Sequence, residues 1–202
     1  MAIKVRQFIN SVFSSNSYLV SDNGLAILID VGDVGPLLEF IRQEKLNLQA
    51  VFLTHTHYDH IYGLPELMKV YPDVPVYTSA FGKDALNNPK WNFSRYHGDN
   101  IALESQSIAI LEDNSYVQVL GRHNLHALAT PGHDKSCLSY TLGNFLFSGD
   151  SYIPGIKVIA TFPNSNREQA AHWYRKLMEL SLSCIVYPGH VLKGLTNESN
   201  LY

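Results

Sequence analysis

The run Leu53-Thr54-His55-Thr56-His57-Tyr58-Asp59-His60 places four side chains able to ligate a metal within six positions. That spacing limits the backbone that can carry it. A continuous helix would point His57 away from His55 and Asp59, so helical geometry cannot gather the four. On a strand, His55, His57 and Asp59 share one face while His60 looks the other way. A strand ending near Thr54, followed by a turn and a helix opening just after His60, removes the conflict. The flanks suit this reading: Ala50-Val51-Phe52-Leu53 is a short apolar run fit for a buried strand, and residues 61–68 can open a helix. The expected product is a ligand cluster at the carboxyl end of a strand, half of a two-metal site.

The same local grammar recurs downstream. Of nine histidines, three lie in this run, and two more follow extended stretches that end in Pro-Gly: Thr130-Pro131-Gly132-His133 and Tyr187-Pro188-Gly189-His190. Proline stops a strand, and glycine lets the backbone turn tightly or approach a ligand closely. Phe145-Leu146-Phe147-Ser148-Gly149-Asp150 repeats the device with a carboxylate. In such a series Asp150 reads as an anionic bridge between two cations. His123 and His126 flank a strand and His172 lies in a helical pattern, so all three read as structural.

Thr54 to His60, His133, Asp150 and His190, in this order, resemble the metallo-β-lactamase fold hydrolases and, within them, the glyoxalase II-like branch. The stretch Leu128-Ala129-Thr130-Pro131-Gly132-His133 is also similar to the family's wording, as is Ile29-Asp30-Val31-Gly32. The likeness runs from about residue 15 to His190. It implies a four-layer αββα sandwich, an α/β fold in which two mixed sheets pack face to face with helices outside. By the same resemblance, His55, His57 and His133 would hold one metal, and Asp59, His60 and His190 a second. Asp150 would bridge both together with a water or hydroxide. Imidazoles and carboxylates without cysteine suit Zn²⁺, with Fe or Mn as alternatives. Asp59 would both ligate the second metal and orient the attacking hydroxide. In one class of true metallo-β-lactamases a cysteine stands in the place of Asp150, and in another the bridging carboxylate is absent, which argues against antibiotic hydrolysis.

Other positions keep two readings at this stage. Asp30 either supports a ligand histidine from behind, fixing its tautomer, or closes a strand as an ordinary turn aspartate. Asp134 stands where the family usually has threonine, and either tunes the first metal or caps a turn. Asn92-Phe93-Ser94 resembles a loop that overhangs the site in some relatives, which would let it, Tyr96 and His97 meet substrate; the other reading makes most of them plain loop residues.

Composition agrees with one compact enzyme domain. Two hundred and two residues, 46% of them hydrophobic, suffice for a substantial core, and no proline-rich linker or charge block divides them. A net charge of −3 offers no basic surface for nucleic acid. No apolar stretch is long enough to suggest a membrane span, and the first residues lack a signal-peptide core, so the expected location is the cytoplasm. Cys137 and Cys184 lie in apolar strand-like runs and read as reduced core residues.

Periodicity and turn residues predict strands near 3–8, 17–20, 25–30, 50–53, 76–77, 107–111, 117–120, 125–129, 137–141, 144–148 and 184–187. Pro36 opens one helix, another follows His60, and Ser165-Asn166-Arg167-Glu168 forms a capping-box pattern for a helix running towards Leu180.

The expected activity is hydrolysis of a thioester or ester of a small molecule, with S-lactoylglutathione as a candidate. Glyoxalase II proper adds a helical domain that recognises glutathione, for which the 12 residues after His190 are too few. The alternatives are a lactonase and a sulfur dioxygenase using one iron held by His57, His133 and Asp150. A nuclease would want an added nucleic-acid-binding domain, and a non-catalytic scaffold would have no need to keep all seven ligands.

Overall fold

The computed structural model describes residues 3–191. Among these, eleven strands form two mixed sheets. The first is built from β1 (Lys4–Ile9), β2 (Asn16–Asp22), β3 (Leu25–Ile29), β4 (Asn47–Phe52), β5 (Val76–Thr78) and β6 (Ile108–Ile110), in that spatial order. The second holds β7 (Ser115–Val119), β8 (His123–Ala129), β9 (Leu138–Leu142), β10 (Phe145–Gly149) and β11 (Ile185–Pro188), ordered β11-β10-β9-β8-β7. Pairing is antiparallel from β1 to β3 and parallel from β3 to β6. In the second sheet it is antiparallel except between β10 and β11. Helices α1 (Val34–Gln43), α2 (Tyr58–Ile61), α3 (Leu64–Val70), α4 (Ala80–Leu86) and α5 (Arg167–Ser181) complete the fold.

Strand alternation assigns side chains to layers. On β3, Ala26 and Leu28 join Leu37, Ile41 and Leu67 in a core between the first sheet and α1 and α3. Ile27 and Ile29 turn the other way and meet Leu125, Leu138, Tyr140 and Phe147 of the second sheet. On β10, Leu146 packs outward against Leu177 of α5 while Phe147 points between the sheets. The period of two thus produces helix, sheet, sheet, helix, the expected sandwich. Because β3 is covered on both faces it reads as a continuous apolar run, as does β4 from Ala50 onward.

All eleven expected strand positions hold strands, with bounds moved by up to three residues. The helix expected after His60 is α3, opening at Leu64. Two helix starts were not foreseen. A short helical turn, α2, begins at Tyr58, before His60, with His57 as its extended N-cap residue. A single helical turn therefore carries both Asp59 and His60. Helix α5 is capped by Asn166, whose side chain accepts from the Gln169 N–H. Ser165, the cap expected from the sequence, instead donates its hydroxyl to the His133 carbonyl. Helix α4 follows β5 and is N-capped by Ser79, whose hydroxyl accepts from Gly82 N–H at 3.0 Å. Cys137 is buried and Cys184 half-buried, and both are free thiols. No helix of the described residues is long and apolar enough to cross a membrane.

Candidate metal centre

Both sheets send strand ends to one edge of the sandwich. β4 leads into the His55–His60 segment, β8 is followed by His133, β10 by Asp150 and β11 by His190. Three overlapping groups result: His55, His57 and His133; His55, His60 and Asp150; Asp59, His60 and His190. Within each group, atoms able to bind a metal lie within 4.8 Å of one another. All seven residues expected as ligands are thereby brought together.

Asp150 stands at the centre. Its Oδ2 lies 3.4 Å from His133 Nε2 and 3.4 Å from His190 Nε2, and its Oδ1 lies 3.7 Å from His60 Nε2. Asp59 Oδ2 lies 3.3 Å from His190 Nε2 and 3.4 Å from His60 Nε2. Gly189 makes this closeness possible, since a Cβ there would fall 2.1 Å from Asp150 Oδ1.

The nitrogens turned away from the centre meet oxygens. His55 Nδ1 lies 3.1 Å from Thr54 Oγ1, His60 Nδ1 2.9 Å from Asp30 Oδ2, His133 Nδ1 2.7 Å from the Ile159 carbonyl and His190 Nδ1 3.1 Å from the Phe13 carbonyl. His57 is reversed. Its Nδ1 faces His133 Nε2 at 3.0 Å while its Nε2 sits 3.5 Å from Asp134 Oδ2, long for a hydrogen bond but close enough for charge attraction. Such outer partners orient imidazoles and leave a lone pair facing the centre. Asp30, at φ 57°, accepts from Thr54 N–H and the Thr54 hydroxyl, both at 2.7 Å, as well as from His60. Asp134 does two things: Oδ2 faces His57, while Oδ1 accepts from Ser136 N–H and closes the turn.

Electrostatics and orphaned atoms agree with a cation-binding centre. His55 Nε2 and Asp150 Oδ1 are buried without a hydrogen-bond partner, a costly arrangement unless something occupies the space between them. Burial, reinforced by the neighbouring imidazoles, holds His55 well below the usual histidine range. Burial opposes protonation of His60 too, but Asp59, Asp30 and Asp150 outweigh it and push it up to about 9. His190, also opposed by burial, is raised to about 11 by Asp150 and Asp59. The two Nε2 atoms face each other at 3.4 Å, so both cannot carry a proton there. What the carboxylates favour is positive charge in the cluster. Neutral imidazole and carboxylate donors, aimed inward and stripped of protein partners, fit divalent metal ions.

The remaining expectations sort cleanly. Phe93 lies against His57 at a ring separation of 4.7 Å. Asn92 is fully buried, its amide donating to the carbonyls of Ala85 and Ile101, so it braces the loop from within. Ser94 is also buried, whereas Tyr96 is exposed and His97 stacks on Tyr58 at 4.6 Å. Away from the site, His123 pairs with Asp22, His126 stacks on Tyr116 and His172 sits on α5 beside Trp173. Sequence reasoning missed Phe162, whose ring lies 5.2 Å from His57, and the carbonyls of Phe13 and Ile159. It also missed Ser15, whose hydroxyl donates to the Asp59 carbonyl at 2.7 Å.

Comparison with known proteins agrees with this geometry. The family model of the metallo-β-lactamase superfamily matches residues 10–190. A hydroxyacylglutathione hydrolase of Tolumonas auensis is 27% identical over 175 residues, covering 86% of this chain and 60% of that protein. The chain spans little more than half the length of that relative. Among solved structures, the BLEG-1 B3 metallo-β-lactamase aligns with a TM-score of 0.85 at 24% identity over 94% of this chain and 92% of the other, a likeness of fold alone. TTHA1623, solved in a di-iron-bound form, aligns at 0.78 and 25% identity over 93% and 92%. With its fold, its ligand-bearing strand ends and a family match over residues 10–190, the chain belongs to the metallo-β-lactamase superfamily.

Proposed function

We propose that the protein is a dinuclear metal-dependent hydrolase of thioester or ester bonds, acting on a small molecule. The observation that carries this reading is Asp150, whose Oδ2 stands 3.4 Å from a histidine of each ligand set. His55, His57 and His133 would hold one cation, and Asp59, His60 and His190 the other. Zn²⁺ suits these donors, and the di-iron form of TTHA1623 makes iron the next choice. When bound, such metals would lower the pKa of a water towards about 7 and polarise a carbonyl.

The chain's own groups supply the rest. Asp59 is held below the usual carboxylate range although burial opposes this, because His60 and His190 stabilise its anion. It remains a proton acceptor at neutral pH and orients the nucleophile's proton. His57, Phe93 and Phe162 pack together over one side of the site. The hydroxyacylglutathione hydrolase relative supports a thioester, with S-lactoylglutathione as one candidate. A lactone is the leading alternative within hydrolysis.

A second reading uses His57, His133 and Asp150 as a two-histidine, one-carboxylate iron site for persulfide oxidation. The approach of His57 Nδ1 to His133 Nε2 at 3.0 Å serves both readings, and this one leaves Asp59, His60 and His190 without a task. One metal-defined sample assayed on thioesters, lactones and persulfides separates the readings. Metal-dependent cleavage of a thioester or ester is expected, and oxygen consumption with a single iron would overturn it.

A further inference from the structure

Two phenyl rings from separate loops meet over His57, and one of them also reaches His133. Phe93, between α4 and the 3-10 turn Ser94–His97, lies 4.7 Å from the His57 ring. Phe162, between β10 and α5, lies 5.2 Å from His57, 5.6 Å from His133 and 5.4 Å from Phe93. Neither ring is placed by chance packing. Phe93 holds φ 65°, a left-handed conformation that is unfavourable for a bulky side chain. The buried amide of Asn92 locks that turn, donating to two carbonyls and accepting from Ser94 N–H at 3.0 Å. The Phe162 loop is fastened on both sides of the ring, by Ile159 O to His133 Nδ1 and by the Ser165 hydroxyl to His133 O.

Despite this anchoring the rim stays open to water. Phe162 is 37% exposed and its neighbour Ile159 56%. Apolar surface held rigidly at the mouth of a polar site gains by being covered, and whatever covers it is joined to the group reacting a few ångströms away. A hydrophilic acyl chain would leave this surface wet and lose hydration of its own.

We propose that Phe93 and Phe162 form an aromatic clamp that selects substrates carrying an apolar, aryl-sized group within three bonds of the scissile carbonyl. This rests on the hydrolase reading and narrows it, placing a small hydroxyacyl group among the poorer substrates.

The test uses zinc-loaded protein and two thioester series: acetyl, lactoyl and phenylacetyl esters of one thiol, and acetyl esters of ethanethiol and benzyl mercaptan. In at least one series the aryl member is expected to lead in kcat/KM by about tenfold or more. Phe162→Ala should bring that ratio close to one by lowering kcat/KM of the aryl members far more than that of the acetyl ester, and Phe162→Leu should keep part of the preference. Calorimetry adds a readout independent of turnover: phenylacetate should bind more tightly than acetate, and Phe162→Ala should remove the difference. Equal rates across both series, preference for the lactoyl ester, or a ratio unchanged by Phe162→Ala would overturn the clamp while leaving hydrolysis intact. If no thioester is cleaved the thioester form of the hydrolase reading fails, and the calorimetric comparison then decides the clamp alone.

Discussion

One carboxylate outside the ligand cluster, Asp30, ties its two halves together. It accepts a hydrogen bond from His60 Nδ1 directly and reaches His55 through the Thr54 hydroxyl. Asp30→Ala removes an acceptor from three buried donors at once, so metal affinity should fall about 10–100-fold, read by competition with a chelator. Retention of metal at the parent's affinity would show that the histidines orient themselves. Asp59→Ala, at a position with 12% of its side chain exposed, should lower turnover by about 10²-fold or more with far less effect on protein yield. Near-full activity in that variant would remove Asp59 from the mechanism. The seven candidate ligands were legible because chemistry demands their residue types and strand ends announce their positions. The carbonyls of Phe13 and Ile159 were not, since every residue carries a carbonyl and only the fold decides which ones face an imidazole.

Elements deliver these residues, and one close contact controls a whole segment. Gly132, at φ 147°, meets the start of α5 so tightly that a Cβ would lie 2.3 Å from Ala170 N and 2.4 Å from its Cα. Gly132→Ala should destabilise the fold by about 1–3 kcal/mol and displace His133, seen as a lower Tm together with weaker metal retention. Gly35→Ala on α1 provides the contrast. No atom lies within 4 Å of its Cβ position, so it should be neutral or stabilise by up to about 1 kcal/mol through helix propensity. Strands were readable because Ile27, Ile29 and Phe52 alternate with residues of the outer core, and Pro-Gly marks two of their exits. Local helix signals were less decisive. Ser165 satisfies the capping pattern, yet a tertiary acceptor, the His133 carbonyl, takes its hydroxyl and hands the cap to Asn166. The helical turn at Tyr58 escaped because ligand spacing was judged against a strand, whereas one turn presents Asp59 and His60 together.

On the scale of the molecule the metals would act as rivets between layers. His55 to His60 follow the first sheet, whereas His133, Asp150 and His190 leave the second. Ligands that bind only the folded chain stabilise it by mass action, about 2.7 kcal/mol at a hundredfold excess over Kd. Chelation should therefore lower the Tm by roughly 5–10 °C. Loading should also release protons. His60 and His190 are raised above 6.5 by their carboxylate neighbours, so the metal-free cluster retains a proton at pH 7 that an incoming cation displaces. Affinity should accordingly weaken as pH falls, and calorimetry in buffers of different ionisation enthalpy should report proton release rather than uptake.

Titration of the metal-free chain with Zn²⁺, followed by elemental analysis of the separated protein, bears most directly on the shared position of Asp150. Two ions per chain are expected, with thioester cleavage appearing as the second site fills. Saturation at a single ion, with Asp59 and His190 replaceable by alanine without loss of metal, would contradict a dinuclear centre.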